Sequence, residues 1–210
     1  MLAAVVFDMD GTLIESAAVL PLAYIAAVEA AGGPTHSPQT VIDAYSVGPP
    51  AAMLTHLLGR PSTQEEVDDY HTRLTSAAHG AEVYPGIHDT LEALRERVRL
   101  AVFSGASVRA CRILLERSGL LTHFDVVVGG DEVANPKPAP DGIHLACERL
   151  GVPAASAAYL GDAPNDLEAA RRSGASALAA AWGHLYRPGE DADHVLQEPS
   201  DLVKLVETAP

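Results

Sequence analysis

Residues 5–13 read VVFDMDGTL, an apolar run that ends in two aspartates, Asp8 and Asp10, separated by a single methionine. Leu2 to Phe7 has the make-up of a short buried strand, and its end raises a question of charge. Two carboxylates this close repel one another and lose hydration unless a cation sits between them. Asp ahead of Gly11-Thr12 also suits a water-exposed turn, so the stretch by itself leaves both readings open. If extended geometry persists through residue 10, the period of two puts Asp8 and Asp10 on the same side of the chain.

The residues after this strand decide the fold. From Ser16 to about Gly80 the pattern turns helical and Ala-rich. Residues 16–31 (SAAVLPLAYIAAVEAA) stop at Gly32-Gly33-Pro34, and residues 50–58 (PAAMLTHLL) stop at Gly59. Residues 62–79 open with STQEE, in which Ser62 and Glu65 have capping-box spacing. No strand is expected between 15 and 82. After Tyr84-Pro85-Gly86 helices and strands alternate: helix 87–97 and strand 99–103, helix 107–118 and strand 125–128, helix 139–150 and strand 157–160, helix 164–173 and strand 176–180. A weak strand near Val195 and a helix over 200–207 close the chain. Repeated β-α units with near-continuous apolar strands predict an α/β fold, a doubly wound parallel sheet covered by helices on both faces. The sheet is interrupted after its first strand by a helical insertion.

Composition bounds the partners. The formal net charge is −14, from 28 acidic and 14 basic residues. Nucleic acid and anionic membrane both demand clustered Lys and Arg, so neither is an expected partner. Any anionic ligand must be drawn in locally, and lysine occurs only at 137 and 204. Cys111 and Cys147 lie far apart inside apolar helical stretches and read as reduced core residues of a cytoplasmic protein. The N-terminal apolar run is too short for a signal peptide or a membrane span.

Ligands of open parallel sheets bind at the carboxyl ends of the strands. There the chain gathers Asp8, Asp10, Gly11 and Thr12, then Ser104-Gly105-Ala106-Ser107, then GGDEVANPKPAP (129–140) with Lys137, then Gly161-Asp162 and Asp166. Four carboxylates without His or Cys neighbours suit a hard cation, most simply Mg2+. Helix capping is the ordinary alternative for Asp162 and Asp166, though it needs only one of them. An aspartate is ionised at neutral pH and serves as a nucleophile toward phosphorus without a base to activate it. The second carboxylate of the pair then serves as acid and base. Ser104 and Gly105 can cradle phosphate oxygens, although Ser, Gly and Ser at a strand-to-helix turn are equally ordinary N-caps. Three prolines between 136 and 140 stiffen the loop around Lys137, as positioning an ammonium requires and a solvent-exposed lysine does not.

DMDGT at 8–12, Ser104 after the second core strand, Lys137 in NPKPAP and GDAPND at 161–166 resemble the haloacid dehalogenase-like (HAD) hydrolase superfamily, in its phosphoglycolate phosphatase and β-phosphoglucomutase branch. YPG at 84–86 resembles that family's return into the core. The resemblance implies a Rossmann-like core over 1–15 and 82–210 and a small helical cap domain over 16–81. It implies Asp8 as nucleophile, Asp10 as general acid/base, and Ser104 and Lys137 on the transferred phosphoryl group. It further implies Mg2+ held by Asp8, Asp162 and the backbone carbonyl of Asp10, with Asp166 close by or reaching it through water. The expected activity is hydrolysis of a small phosphate monoester through a phospho-aspartate, the substrate being its small-molecule partner. Two alternatives remain, a sugar-phosphate mutase and a non-catalytic phosphate-binding module. Ser46-Val47-Gly48-Pro49-Pro50, where the mutases carry a cation, has none, and the insertion offers only Arg60 and Arg73. His36, His56, His71 and His79 of the insertion read as surface or packing residues, and Trp182 and His184 as borders of the site.

Overall fold

The computed structural model describes residues 2–208, the Ser46 side chain excepted. In chain order its elements are β1 (Ala4–Phe7), β2 (Ile14–Glu15), α1 (Leu20–Ala30), α2 (Pro38–Asp43), α3 (Pro50–Leu58), α4 (Gln64–Ala77), β3 (Glu82–Val83), α5 (Ile87–Leu94), β4 (Arg99–Phe103), α6 (Val108–Arg117), β5 (Val126–Val128), α7 (Asp141–Leu150), β6 (Ala157–Gly161), α8 (Pro164–Ser173), β7 (Ser176–Ala180), β8 (His194–Leu196) and α9 (Ser200–Thr208).

Six strands form one sheet in the order β5-β4-β1-β6-β7-β8, every pairing parallel, with β1 between β4 and β6. The side-chain alternation of strands divides the core in two. Val5 and Phe7 of β1 with Leu100 and Val102 of β4 face one layer, and Ala4 and Val6 with Ala101 and Phe103 face the other. Leu91, Leu114 and Leu202, from α5, α6 and α9, cover the first face, while Ile143 and Leu167, from α7 and α8, cover the second. Both faces are buried, which is why the strands read as apolar runs rather than as alternation. The expected α/β doubly wound sheet is therefore present, with Cys111 and Cys147 free and buried inside it.

The helices between 20 and 77 pack on one another and over the carboxyl end of the sheet. Tyr24 of α1 stacks on Tyr70 of α4 with ring centroids 4.1 Å apart. Leu20, Tyr24, Ala27 and Val28 line the buried face of α1, and each large side chain so buried contributes roughly 1.5–3 kcal/mol. The fold corrects one expectation, adds elements at two places and leaves one condition unmet. The capping box of α4 is Thr63 with Glu66, one residue beyond Ser62 and Glu65: Thr63 Oγ1 accepts from the Glu66 amide at 3.3 Å and Glu66 accepts from the Thr63 amide at 2.8 Å. Ser62 is occupied elsewhere, donating to the Ala51 carbonyl at 2.9 Å and pairing with Thr55 Oγ1 at 3.1 Å. Helix α2 is an added element, capped by Ser37 and begun by Pro38; at six residues it is too short to show a helical period. The antiparallel pair β2–β3, Ile14 opposite Val83, ties the two ends of the helical segment together, and two residues per strand leave no alternation to read. Finally, the first strand ends at Phe7, so extended geometry does not reach Asp10.

Candidate active site

A cavity of about 330 Å³ lies between the carboxyl ends of the strands and the helices above. Its lining includes Asp8, Asp10, Ser104, Gly105, Lys137, Asp162 and Asp166, so the residues singled out in the sequence converge on one place. The parallel sheet causes this: β1, β4 and β6 are neighbours, and the loop after each opens toward the same edge.

Asp8 directly continues β1, its amide donating to the Leu160 carbonyl at 2.8 Å. Its Oδ1 accepts from Lys137 Nζ at 2.7 Å, and the same ammonium reaches Asp166 Oδ1 at 2.7 Å and the Tyr159 hydroxyl at 3.2 Å. The Tyr159 hydroxyl in turn donates to the Phe103 carbonyl at 2.9 Å. Lys137 is thus fixed on three sides with little exposure. Burial acts against its charge, but the Asp166 and Asp8 carboxylates outweigh it and hold the ammonium well above lysine's ordinary range. Burial, reinforced by Asp166 and Asp162 and opposed by Lys137, drives Asp8 well above the usual carboxylate range.

Asp8, Asp162 and Asp166 each offer a carboxylate oxygen, and the three oxygens lie within 4.8 Å of one another. Lys137 leaves this buried trio short of positive charge. Asp162 Oδ2 accepts from the Leu185 amide at 2.9 Å, while its buried Oδ1 has no hydrogen-bond partner among the described residues. Burial pushes the Asp162 carboxyl up to about 6. An orphaned carboxylate oxygen among hard oxygen donors is what a divalent cation such as Mg2+ requires, so the residues fit such an ion. The backbone leaves space for this: a Cβ on Gly11, where φ is 80°, or on Gly183 would collide with the Asp162 side chain. Asp166 also caps α8, its Oδ2 accepting from the Ala163 amide at 3.0 Å. The ordinary capping role is therefore real for Asp166, which combines it with the Lys137 ion pair, and does not apply to Asp162.

Asp10 is turned differently. With the strand ended, its carboxylate accepts from the Ser16 amide at 3.1 Å and from the Ser16 hydroxyl. Its carboxylate stays outside the trio of Asp8, Asp162 and Asp166. Burial raises its pKa, against the Ser16 hydrogen bonds and His184, which is the direction a general acid needs. Ser104 is buried and accepts from the Ala106 amide at 3.2 Å. The N-cap of α6 is Ser107, which accepts from the Ala110 amide at 3.2 Å, leaving Ser104 and Gly105 at the cavity wall.

His71 is buried, and its Nε2 accepts from the Ser107 hydroxyl at 2.9 Å while Nδ1 donates to the Val67 carbonyl at 2.8 Å. This packing role joins α4 to α6. Trp182 donates to the Thr12 carbonyl at 2.9 Å, and His184 Nδ1 lies 3.4 Å from Glu15 Oε2, which also accepts from the Tyr84 hydroxyl at 2.8 Å. Sequence reasoning missed Tyr159 beneath Lys137, and the cavity wall made by Tyr24, Tyr45, Met53 and Tyr70. Tyr159 stood out only as the one polar-tipped residue in AAYL.

Residues 2–174 match the family model "haloacid dehalogenase-like hydrolase". The phosphoglycolate phosphatase of Aquifex aeolicus is 33% identical over 97% of this chain and 96% of its own length. That of Escherichia coli K12 is 28% identical over 95% of this chain and 90% of its own. The crystal structure of CbbY from Rhodobacter sphaeroides in complex with phosphate superposes with a TM-score of 0.82 at 27% identity, covering 96% of each chain. No helix is long and apolar enough to cross a membrane among the described residues. Strand-end carboxylates around one fixed lysine, carried on this sheet order, place the chain among the haloacid dehalogenase-like hydrolases, as a phosphoric monoester hydrolase.

Proposed function

We propose that this chain is a Mg2+-dependent phosphatase that hydrolyses a small phosphate monoester through a phosphorylated Asp8, with residues 16–81 acting as a cap over the core formed by 1–15 and 82–210. Lys137 holds Asp8 Oδ1, so Oδ2 is the attacking atom. It forms a bond to phosphorus as the bond from phosphorus to the ester oxygen breaks. Asp10 donates its proton to that oxygen, and an alcohol leaves. Water then attacks the phospho-aspartate; Asp10 takes the proton back, phosphate departs and free Asp8 returns. Lys137, Ser104 and the Gly105 amide stabilise the transferring group's oxygens.

Asp8, Asp162, Asp166 and the Asp10 carbonyl would hold the Mg2+, which offsets negative charge between nucleophile and phosphate. The observation that carries this reading is the orphaned Asp162 Oδ1 beside an Asp8–Lys137–Asp166 arrangement in one cavity. The mutase alternative needs a grip on a second phosphate. The cap's two arginines are paired instead with Glu66 and Asp69, at 2.6 Å each, and that favours the phosphatase. Asp8→Asn tests the proposal on an aryl phosphate with Mg2+ present. Turnover should be abolished, and activity above about a tenth of wild type would overturn the nucleophile assignment.

A further inference from the structure

The cavity extends past the phosphate end to a wall that carries no cation. Lys137 is its one basic side chain among the described residues, and Lys137 is held by two carboxylates at the phosphate end. The cap's basic groups are committed elsewhere. Arg60 and Arg73 are in their ion pairs, His36 is bonded to the Leu57 carbonyl and His71 to Ser107, while His56 and His79 are exposed outside the lining. The leaving group faces Leu20, Tyr24, Ile42, Tyr45, Met53 and Tyr70, with the Asp43 carboxylate at the rim.

A second anion on the substrate would meet apolar and aromatic atoms and an acidic rim. Burying an unpaired charge there is strongly unfavourable. An uncharged hydroxyl meets the opposite situation. The Tyr45 hydroxyl is buried without a hydrogen-bond partner among the described residues. Tyr45 lines the cavity, and a phenol carries a proton to donate at neutral pH. A buried donor left unpaired rejects a ligand that fails to satisfy it and favours one that does.

We infer that the substrate of this site is the monophosphate of an uncharged, hydroxyl-bearing alcohol, a polyol or sugar monophosphate, with a substrate hydroxyl paired to Tyr45, and that carboxylated phosphates and bisphosphates are disfavoured. This deepens the phosphatase reading and rests on it. The tyrosine wall packs against the carbon skeleton, and Asp43 keeps a second anion out.

The test compares kcat/KM for two esters of matched size, hydroxyethyl phosphate and phosphoglycolate, with phenyl phosphate as the common reference and Mg2+ present. Hydroxyethyl phosphate should exceed phosphoglycolate by about tenfold or more. Asp43→Lys, a change at an exposed position, should narrow that ratio by raising turnover of phosphoglycolate. Tyr45→Phe should lower kcat/KM for hydroxyethyl phosphate about fivefold more than for ethyl phosphate, which lacks the hydroxyl. Equal or greater activity on phosphoglycolate, with phenyl phosphate still hydrolysed, would overturn this inference and leave the phosphatase reading standing. Absence of turnover on all of the esters would overturn both. A Tyr45→Phe loss equal on hydroxyethyl and ethyl phosphates would overturn the hydroxyl pairing.

Discussion

Replacing Asp162 by Asn tests the charge balance of the site directly. Asp162 is 1% exposed, and burial raises its carboxyl from 3.8 to about 6. In metal-free protein this group opposes folding. Between those two values the native state holds a proton that the unfolded chain has released, so stability falls as pH rises through that window and the loss is complete above it. A shift of this size is worth about 3 kcal/mol. Asp162→Asn removes the charge and keeps the shape, and its side-chain oxygen can still accept from the Leu185 amide. Metal-free Asp162→Asn should therefore be more stable than wild type above about pH 7, by up to that amount. For a chain of this size the full gain is a Tm rise of roughly 6–12 °C. The difference should shrink toward about pH 4, where the native carboxyl is protonated.

Mg2+ should reverse the ranking. At a concentration of about 1,000 Kd it stabilises wild type by about 4.1 kcal/mol, more than the metal-free advantage of the variant, which has lost one anionic ligand. Thermal unfolding in chelator, then in a Mg2+ titration, reads both effects. A metal-free variant less stable than wild type at neutral pH would refute the charge argument. Equal Mg2+ shifts for the two proteins would refute the ligand assignment.

Two other perturbations separate roles within the site and its supports. Asp10→Asn should slow an alkyl phosphate by about 10²-fold or more, because its leaving oxygen needs a proton, and an aryl phosphate much less; equal losses on the two would remove the acid role. His71→Phe keeps the ring volume but leaves the Ser107 hydroxyl proton without an acceptor, and urea unfolding should register a loss of about 1–2 kcal/mol. Burial lowers His71 below 6.5, so the native state keeps it neutral while the unfolded chain protonates it. Wild type should then lose stability as pH falls through 6.5 and the variant should lose less, narrowing the gap between them. A gap that stays constant across that range would show that His71 does not carry the linkage.

Local chain order is enough to define the sheet and the cluster of polar side chains at its strand ends. Apolar runs such as RLAVF and AAYL are strands because both faces of the sheet are covered, and a parallel sheet sends every strand end to one edge. Asp8, Ser104, Lys137, Asp162 and Asp166 were legible for that reason: each belongs to the loop or turn that follows its strand, so position in the chain places it. The other features depend on contacts between segments distant in the chain, which no local pattern encodes. Asp10 lies two residues beyond Asp8, yet its carboxylate is turned by Ser16 once β1 ends at Phe7. Thr63 rather than Ser62 caps α4, because Ser62 is drawn to Ala51 and Thr55 on the preceding helix. The Tyr45 hydroxyl is orphaned, and the cap's arginines are turned to Glu66 and Asp69, only in the packed molecule. A helical period tells which face of a helix is buried, but not what that face meets; the chemistry of the cavity wall above the sheet is set by that meeting.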